Sequence, residues 1–264
     1  MPDRLHSVKK IFFQLVRYEV NRMKKTLIIA LSLTALFATP VFAGAPAPKA
    51  GGIEKEGYVW NAQEGEKIEA LKLKGDLKRG EEAYEICGAC HLPNGAGRPD
   101  GTFPQLAGQH ATVIIKQMAD IRGGLRDNPT MYPFAQTLSD AQELADVARY
   151  IQSICIPTEH GKGTGNAALL QQGADLYAKE CVSCHGKNGE GDAAKFYPVL
   201  AGQHYKYLLR QVTEIRDGKR RNANPDMVKI VKKYSDNELD AVVEYMSSLS
   251  MPGSMCKATG KKKK

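Results

Sequence analysis

Apolar positions recur with a helical period in two similar stretches of the chain. Leu144, Val147, Ala148, Ile151 and Ile154 share one helix face, as do Leu239, Val242, Val243, Met246 and Leu249. Ser139 with Gln142, and Ser235 with Glu238, give each stretch a capping box at its start. Two shorter helical stretches lie upstream, one carrying Gly80 and Tyr84, the other Gly173 and Tyr177. A glycine followed four residues later by an aromatic suits a close crossing against the final helices, where Tyr150 and Tyr245 lie. Convincing period-two runs are absent, so the pattern predicts an all-α fold.

One apolar run is of another kind. Thr26 to Phe37 follows Met23-Lys24-Lys25 and precedes Val41-Phe42-Ala43, a small-residue cleavage pattern. This predicts a secretory signal peptide over 1–43, with Met23 as the true start, and hence an exported protein. The segment carries seven Lys/Arg and two Asp/Glu, so its removal lowers the formal charge from +8 to +3. Five of the remaining positive residues are Lys257 and Lys261 to Lys264, a Lys-rich tail over 257–264. Export, with the basic residues gathered in a tail, argues against nucleic acid as a partner and leaves the tail as a solvated end or as a peripheral contact with an anionic membrane or an acidic partner.

The halves align at an offset of 94. Phe103-Pro104-Gln105-Leu106-Ala107-Gly108-Gln109-His110 matches Tyr197-Pro198-Val199-Leu200-Ala201-Gly202-Gln203-His204, and Gln117, Ile121, Arg122 and Gly124 match Gln211, Ile215, Arg216 and Gly218. The expected organisation is an extended arm over 44–70, a first domain over 71–155, a Gly/Thr/Pro-rich linker over 156–167 and a second domain over 168–256. Each domain is small for an unaided hydrophobic core.

Candidate chemistry enters with Cys87-Gly88-Ala89-Cys90-His91, copied as Cys181-Val182-Ser183-Cys184-His185. A C-x-x-C-H segment is what covalent attachment of a c-type haem needs, with two thiols for the vinyl groups and an imidazole for the iron. A single copy is equally at home in a redox dithiol or half a zinc site; two copies in an exported repeat favour two covalently bound haem c groups. Cys87, Cys90, Cys181 and Cys184 are then the attachment points and His91 and His185 are iron ligands. Pro104 and Pro198 offer carbonyls that could orient the rings. For the sixth ligand the repeat separates Met131 from Met118. Met118 aligns with Val212, whereas Asn128-Pro129-Thr130-Met131 matches Asn224-Pro225-Asp226-Met227, which selects Met131 and Met227. Cys155 and Cys256 remain, one near the end of each half, and spacing alone does not decide whether they pair. His110 and His204 read as surface or packing residues rather than as alternative iron ligands, and Lys219, Arg220 and Arg221 as a solvated loop or as a cluster facing the haem propionates or a partner.

These repeated motifs, in this order over residues 76–252, resemble the di-haem class I c-type cytochromes of the cytochrome c-four family. The resemblance implies two tandem cytochrome c-type domains, each wrapped around a His/Met-ligated haem. It also implies a periplasmic electron carrier between respiratory-chain components, feeding a terminal oxidase and not itself an enzyme. The rival functions are a haem enzyme with an open iron, such as a peroxidase or a sulfur-compound oxidase, and an electron-transfer subunit of a larger oxidoreductase. The arm and the Lys tail depart from the family pattern.

Overall fold

The computed structural model describes Trp60, residues 65–251, Gly253 and residues 255–256. The signal peptide expected over 1–43, most of the arm before residue 65 and the tail at 257–264 lie outside the described residues. The elements in chain order are α1 (Gly65–Lys72), α2 (Leu77–His91), α3 (Ala111–Arg122), α4 (Tyr132–Ala135), α5 (Ala141–Ser153), β1 (Ile156–Pro157), α6 (Ala167–Glu180), α7 (Val182–His185), α8 (Tyr205–Arg216), α9 (Pro225–Val231), α10 (Asp236–Met246) and β2 (Met255–Cys256). Strand structure amounts to the two-residue parallel pair β1–β2 and a bridge between Asp192 and Tyr197, among the described residues. The all-α expectation holds. No helix among the described residues is long and apolar enough to cross a membrane.

Each half has its own core. In the first, Leu144, Val147, Ala148 and Ile151 of α5 bury against Tyr84 of α2 and Ile114 and Ile115 of α3. In the second, Leu239, Val242, Val243 and Met246 of α10 bury against Tyr177 of α6 and Leu208 and Val212 of α8. The pairs α2–α5 and α6–α10 cross at the two glycines. A Cβ at Gly80 would meet the Asp146 carbonyl and lie 2.8 Å from the Tyr150 Cβ; one at Gly173 would meet the Ala241 carbonyl and lie 2.9 Å from the Tyr245 Cβ. Beside each crossing two tyrosine rings pack, Tyr84 on Tyr150 at 5.4 Å and Tyr177 on Tyr245 at 5.3 Å. Gly173→Ala should therefore destabilise the protein by about 3 kcal/mol, because the clash is with backbone and outweighs the ~1 kcal/mol that alanine gains in a helix. Urea unfolding of the haem-loaded protein measures this; a variant as stable as the parent would remove the close-crossing argument.

Two local expectations shift. Ser235 forms the expected capping box with Glu238, but in the first half the cap falls one residue later, where the Asp140 carboxylate accepts from the Glu143 N–H at 2.9 Å. Ser139 keeps a part, since its N–H donates to the Glu143 carboxylate at 2.6 Å. Asp caps as well as Ser, and its place next to the first helical residue decides the register. The arm, expected to be extended through residue 70, is helical from Gly65. Docking accounts for that short helix: Lys67 and Ala70 are buried, and Glu66 pairs with Arg122 at 2.8 Å.

The halves meet through reciprocal bonds. The Gln109 side chain donates to the Val199 carbonyl at 3.0 Å and accepts from the Val199 N–H at 2.9 Å. Gln203 makes the same pair with Gln105, at 2.9 and 3.0 Å. His110 Nε2 donates to the Glu190 carbonyl and His204 Nε2 to the Ala96 carbonyl, both at 2.8 Å. The offset of 94 maps each bond onto its counterpart, so the two halves present the same groups to each other, as subunits do across a two-fold interface. His110 and His204, read from the sequence as surface or packing residues, are therefore parts of the clasp between halves. The linker is strapped down by the buried Glu244 carboxylate, which accepts from Thr164 N–H at 3.0 Å and from Gly165 N–H. Cys155 is disulfide-bonded. The β2 backbone runs beside the chain just after it, with Pro157 opposite Cys256.

His204 carries a pH dependence. It is 1% exposed, and while Nε2 donates to Ala96, Nδ1 accepts from the Gly161 N–H at 3.0 Å, which fixes the neutral ring. Burial holds its pKa below the ordinary 6.5, with the Ala96 bond pulling the other way and His160 adding to the depression. The unfolded chain then takes up the proton first, so this residue's contribution is full above pH 6.5 and is lost as the pH falls through the depressed value. Unfolding midpoints of the parent should fall more steeply below pH 6.5 than those of His204→Gln. Parallel profiles would contradict the assignment.

Candidate functional site

The end of α2 and the turn α7 set the two motifs. Cys87 and Cys90, three apart on α2, share a helix face, and His91 closes the helix. In the second half α6 stops at Glu180, and Val182 to His185 form the separate turn α7. Each motif turn is pinned by a tyrosine: Tyr84 Oη donates to the Leu92 carbonyl at 2.9 Å and Tyr177 Oη to the Gly186 carbonyl at 2.7 Å.

The imidazoles are oriented as the sequence suggested. His91 Nδ1 donates to the Pro104 carbonyl at 2.8 Å and His185 Nδ1 to the Pro198 carbonyl at 3.2 Å, leaving Nε2 to meet a metal. Gly97 and Gly191, each at positive φ, donate to the carbonyls of His91 and His185 at 2.9 Å and let the proline segments approach. A Cβ at Gly191 would lie 2.6 Å from the Pro198 carbonyl oxygen, so only glycine fits. Burial pushes both imidazoles below their ordinary range, with the bond to the proline carbonyl opposing it in each case. A neutral ring is the form that ligates a metal. Burial pushes the Cys87 thiol up to about 11 and the Cys181 thiol up to about 12. They are thus protonated at neutral pH before any group is attached. No group of three or more His, Cys, Asp or Glu suited to a metal ion occurs among the described residues.

A cavity of about 700 Å³ is lined from both halves. Cys87, His91 and Met131 face it from the first, and Cys181, Cys184, His185 and Met227 from the second. Its walls are apolar, with Phe103, Leu138 and Ile151 in one half and Tyr197, Leu200 and Val242 in the other. Two His, two Met and three of the four motif thiols around an apolar space fit haem. Met118 also lines the cavity while packing on the first core, so geometry alone does not separate it from Met131; the repeat does. Of the readings left open for the basic cluster, solvated loop does not hold for Arg220, which lines the cavity. It is bonded to Gln211 at 3.0 Å and to Gln117 of the other half at 3.1 Å, and burial brings its guanidinium down to about 10. Arg126 reaches Gln211 from the first half at 3.1 Å, and Arg221 pairs with Asp127 at 2.8 Å. The sequence offered one signal for this network, the repeated Gln117 and Gln211.

The family model described as Cytochrome c matches residues 77–154 and again 170–250. The chain belongs to the cytochrome c family. Within it the di-haem cytochrome c4 group is the match. Cytochrome c4 of Pseudomonas aeruginosa is 35% identical over 185 residues, which is 66% of this chain and 89% of the relative. The crystal structure of reduced recombinant cytochrome c4 from Pseudomonas stutzeri superposes with a TM-score of 0.58 at 31% identity, covering 66% of this chain and 99% of that one. A thiosulfate dehydrogenase electron acceptor of Stutzerimonas stutzeri is 37% identical over 175 residues, 63% of this chain and 80% of the relative. This di-haem cytochrome carries two covalently bound haem c groups and is an electron carrier.

Proposed function

We propose that this di-haem cytochrome shuttles electrons in the periplasm between respiratory-chain proteins, delivering them to a terminal oxidase. When bound, each haem supplies an iron that takes up and gives back one electron. Cys87 and Cys90 tether one haem and Cys181 and Cys184 the other. His91 and His185 present Nε2 to the irons, held by the carbonyls of Pro104 and Pro198, and Met131 and Met227 supply thioethers. One observation carries this reading: a carbonyl-oriented His, a Met and at least one motif thiol line the cavity from each half. Two Met-ligated irons leave no open position for a substrate, which favours a carrier over a haem enzyme. The uneven charge supports oriented docking: residues 70–160 hold nine Lys/Arg against eleven Asp/Glu, residues 161–256 thirteen against eleven. The Lys tail adds a peripheral membrane contact at the second end.

A second reading concerns the electron donor. The Stutzerimonas stutzeri relative accepts electrons from thiosulfate dehydrogenase, which favours a sulfur-oxidising enzyme in that role here. The test is the mass and spectrum of exported protein from a host that attaches haem. Two haem additions per chain are expected, with visible spectra that barely change on adding cyanide or carbon monoxide. One haem, or an iron that binds carbon monoxide readily, would overturn the reading.

A further inference from the structure

The repeat places α3 and α8 in equivalent positions, yet their outer faces meet different fates. On α3 the arm covers the face. The Trp60 ring lies 4.9 Å from Lys116 Nζ and edge-on to Phe196 of the second half at 6.4 Å, while Lys67 pairs with Asp120 at 3.0 Å. Lys116 and Asp120 are consequently 0% and 1% exposed. Their counterparts on α8 are Arg210, which is exposed, and Glu214, which is half-exposed. The segment equivalent to α1 by the offset is the linker around Lys162 and Thr164, which is strapped instead to Glu244 on α10 and to Ser247 at its C-terminal end. A crevice of about 450 Å³ therefore stands open on α8, lined by Lys206, Leu209, Arg210, Thr213, Glu214 and Lys219.

We propose that this crevice receives an acidic segment of a redox partner protein, bearing an aromatic side chain that seats as Trp60 does in the first half. The charges favour that occupant. Three cations face one carboxylate in the crevice, whereas the equivalent positions Thr112, Lys116, Asp120 and Leu125 balance to zero. The exposed Lys206 offers an aromatic ring the same contact that Lys116 offers Trp60, beside Arg210, which lies 5.2 Å over the Tyr207 ring and donates to the Gly101 carbonyl at 2.8 Å. The volume is within the usual range for a binding pocket, roughly 300–1,000 Å³. Arg210, Glu214 and Lys219 also line the haem cavity, so a segment seated here stands beside the second haem. The docking role rests on the carrier reading; the occupancy of the crevice does not.

The probe is an acetylated, amidated Glu-Glu-Trp-Glu-Glu peptide titrated into the reduced, ¹⁵N-labelled holoprotein. Amide shifts confined to α8 and the Lys219 loop are expected, with affinity about tenfold weaker in Lys206→Glu, an exposed position outside the haem cavity whose change leaves the fold intact. The peptide with Ala in place of Trp should bind at least as weakly. Equal binding of the two peptides, shifts centred on the first half, or no shifts at millimolar peptide would overturn the proposal. So would α8 signals in peptide-free protein that move on dilution or on deletion of residues 44–59, since a second copy or the arm would then be the occupant. Failure of the carrier reading shows separately, as carbon monoxide binding with the peptide result unchanged.

Discussion

Met227→Ala should open the iron of the second half, abolish its sulfur-to-iron charge-transfer band and lower its potential by on the order of a few tenths of a volt, within the roughly 0.8 V that axial ligation spans. Met131→Ala should do the same in the first half. Potentiometric titration would then show one of two waves moving in each variant, and carbon monoxide should bind only the opened iron. The control is Met118→Ala. Met118 lines the cavity and is half-buried against the first core, so it is the one competing thioether there. Its counterpart Val212 is 5% exposed in the second core and has no sulfur to give. Met118→Ala should keep both waves and the band and cost about 2 kcal/mol, near the low end for a large-to-small change. Loss of the band in Met118→Ala, with the band retained in Met131→Ala, would reverse the assignment.

What was legible in the sequence was whatever the repeat wrote twice. Two helical apolar stripes behind their caps gave the all-α fold, two C-x-x-C-H motifs the cofactor, and one proline thirteen residues beyond each histidine the oriented imidazoles, because each is a local pattern checked against its copy. The structure departs from the reading where a residue acts through something distant. His110 and His204 follow Gly-Gln in both halves, and nothing local says that each reaches a backbone carbonyl of the other half. The sequence left Arg220 open between loop, haem propionate and partner, because its partners, Gln117 and Gln211, belong to different halves. The arm gave no helical signal, since only Lys67 and Ala70 of α1 are buried and one of those is charged. Its structure comes from α3 and α5, and so does its cost.

That cost sits at Asp120, and its removal is expected to be the most destabilising single change in the first half. Its carboxylate takes Lys67 on one oxygen at 3.0 Å and Lys116 on the other, and Asn222 of the second half donates to it at 2.8 Å. The three charged side chains are 8%, 1% and 1% exposed. Arm, first core and second half are thus joined through one carboxylate that offsets two buried ammonium groups. Burial already brings the Lys116 amine down to about 8, with Asp120 pulling it back up. Asp120→Asn leaves both amines uncompensated, and about 3–5 kcal/mol of stability should be lost, as for a buried pair broken on one side. An exposed pair such as Lys233–Glu180 should cost less than about 1 kcal/mol by the same substitution. The pH dependence separates charge from shape. Without Asp120 the folded protein sheds a lysine proton that the unfolded chain keeps until about its ordinary 10.5, so the variant's stability should rise with pH up to that value and its deficit shrink. Pairing Asp120→Asn with Lys67→Met should restore part of the loss at neutral pH. A deficit that is small, independent of pH and not relieved by Lys67→Met would mean that the cluster is solvated and that the arm is held by its apolar contacts alone.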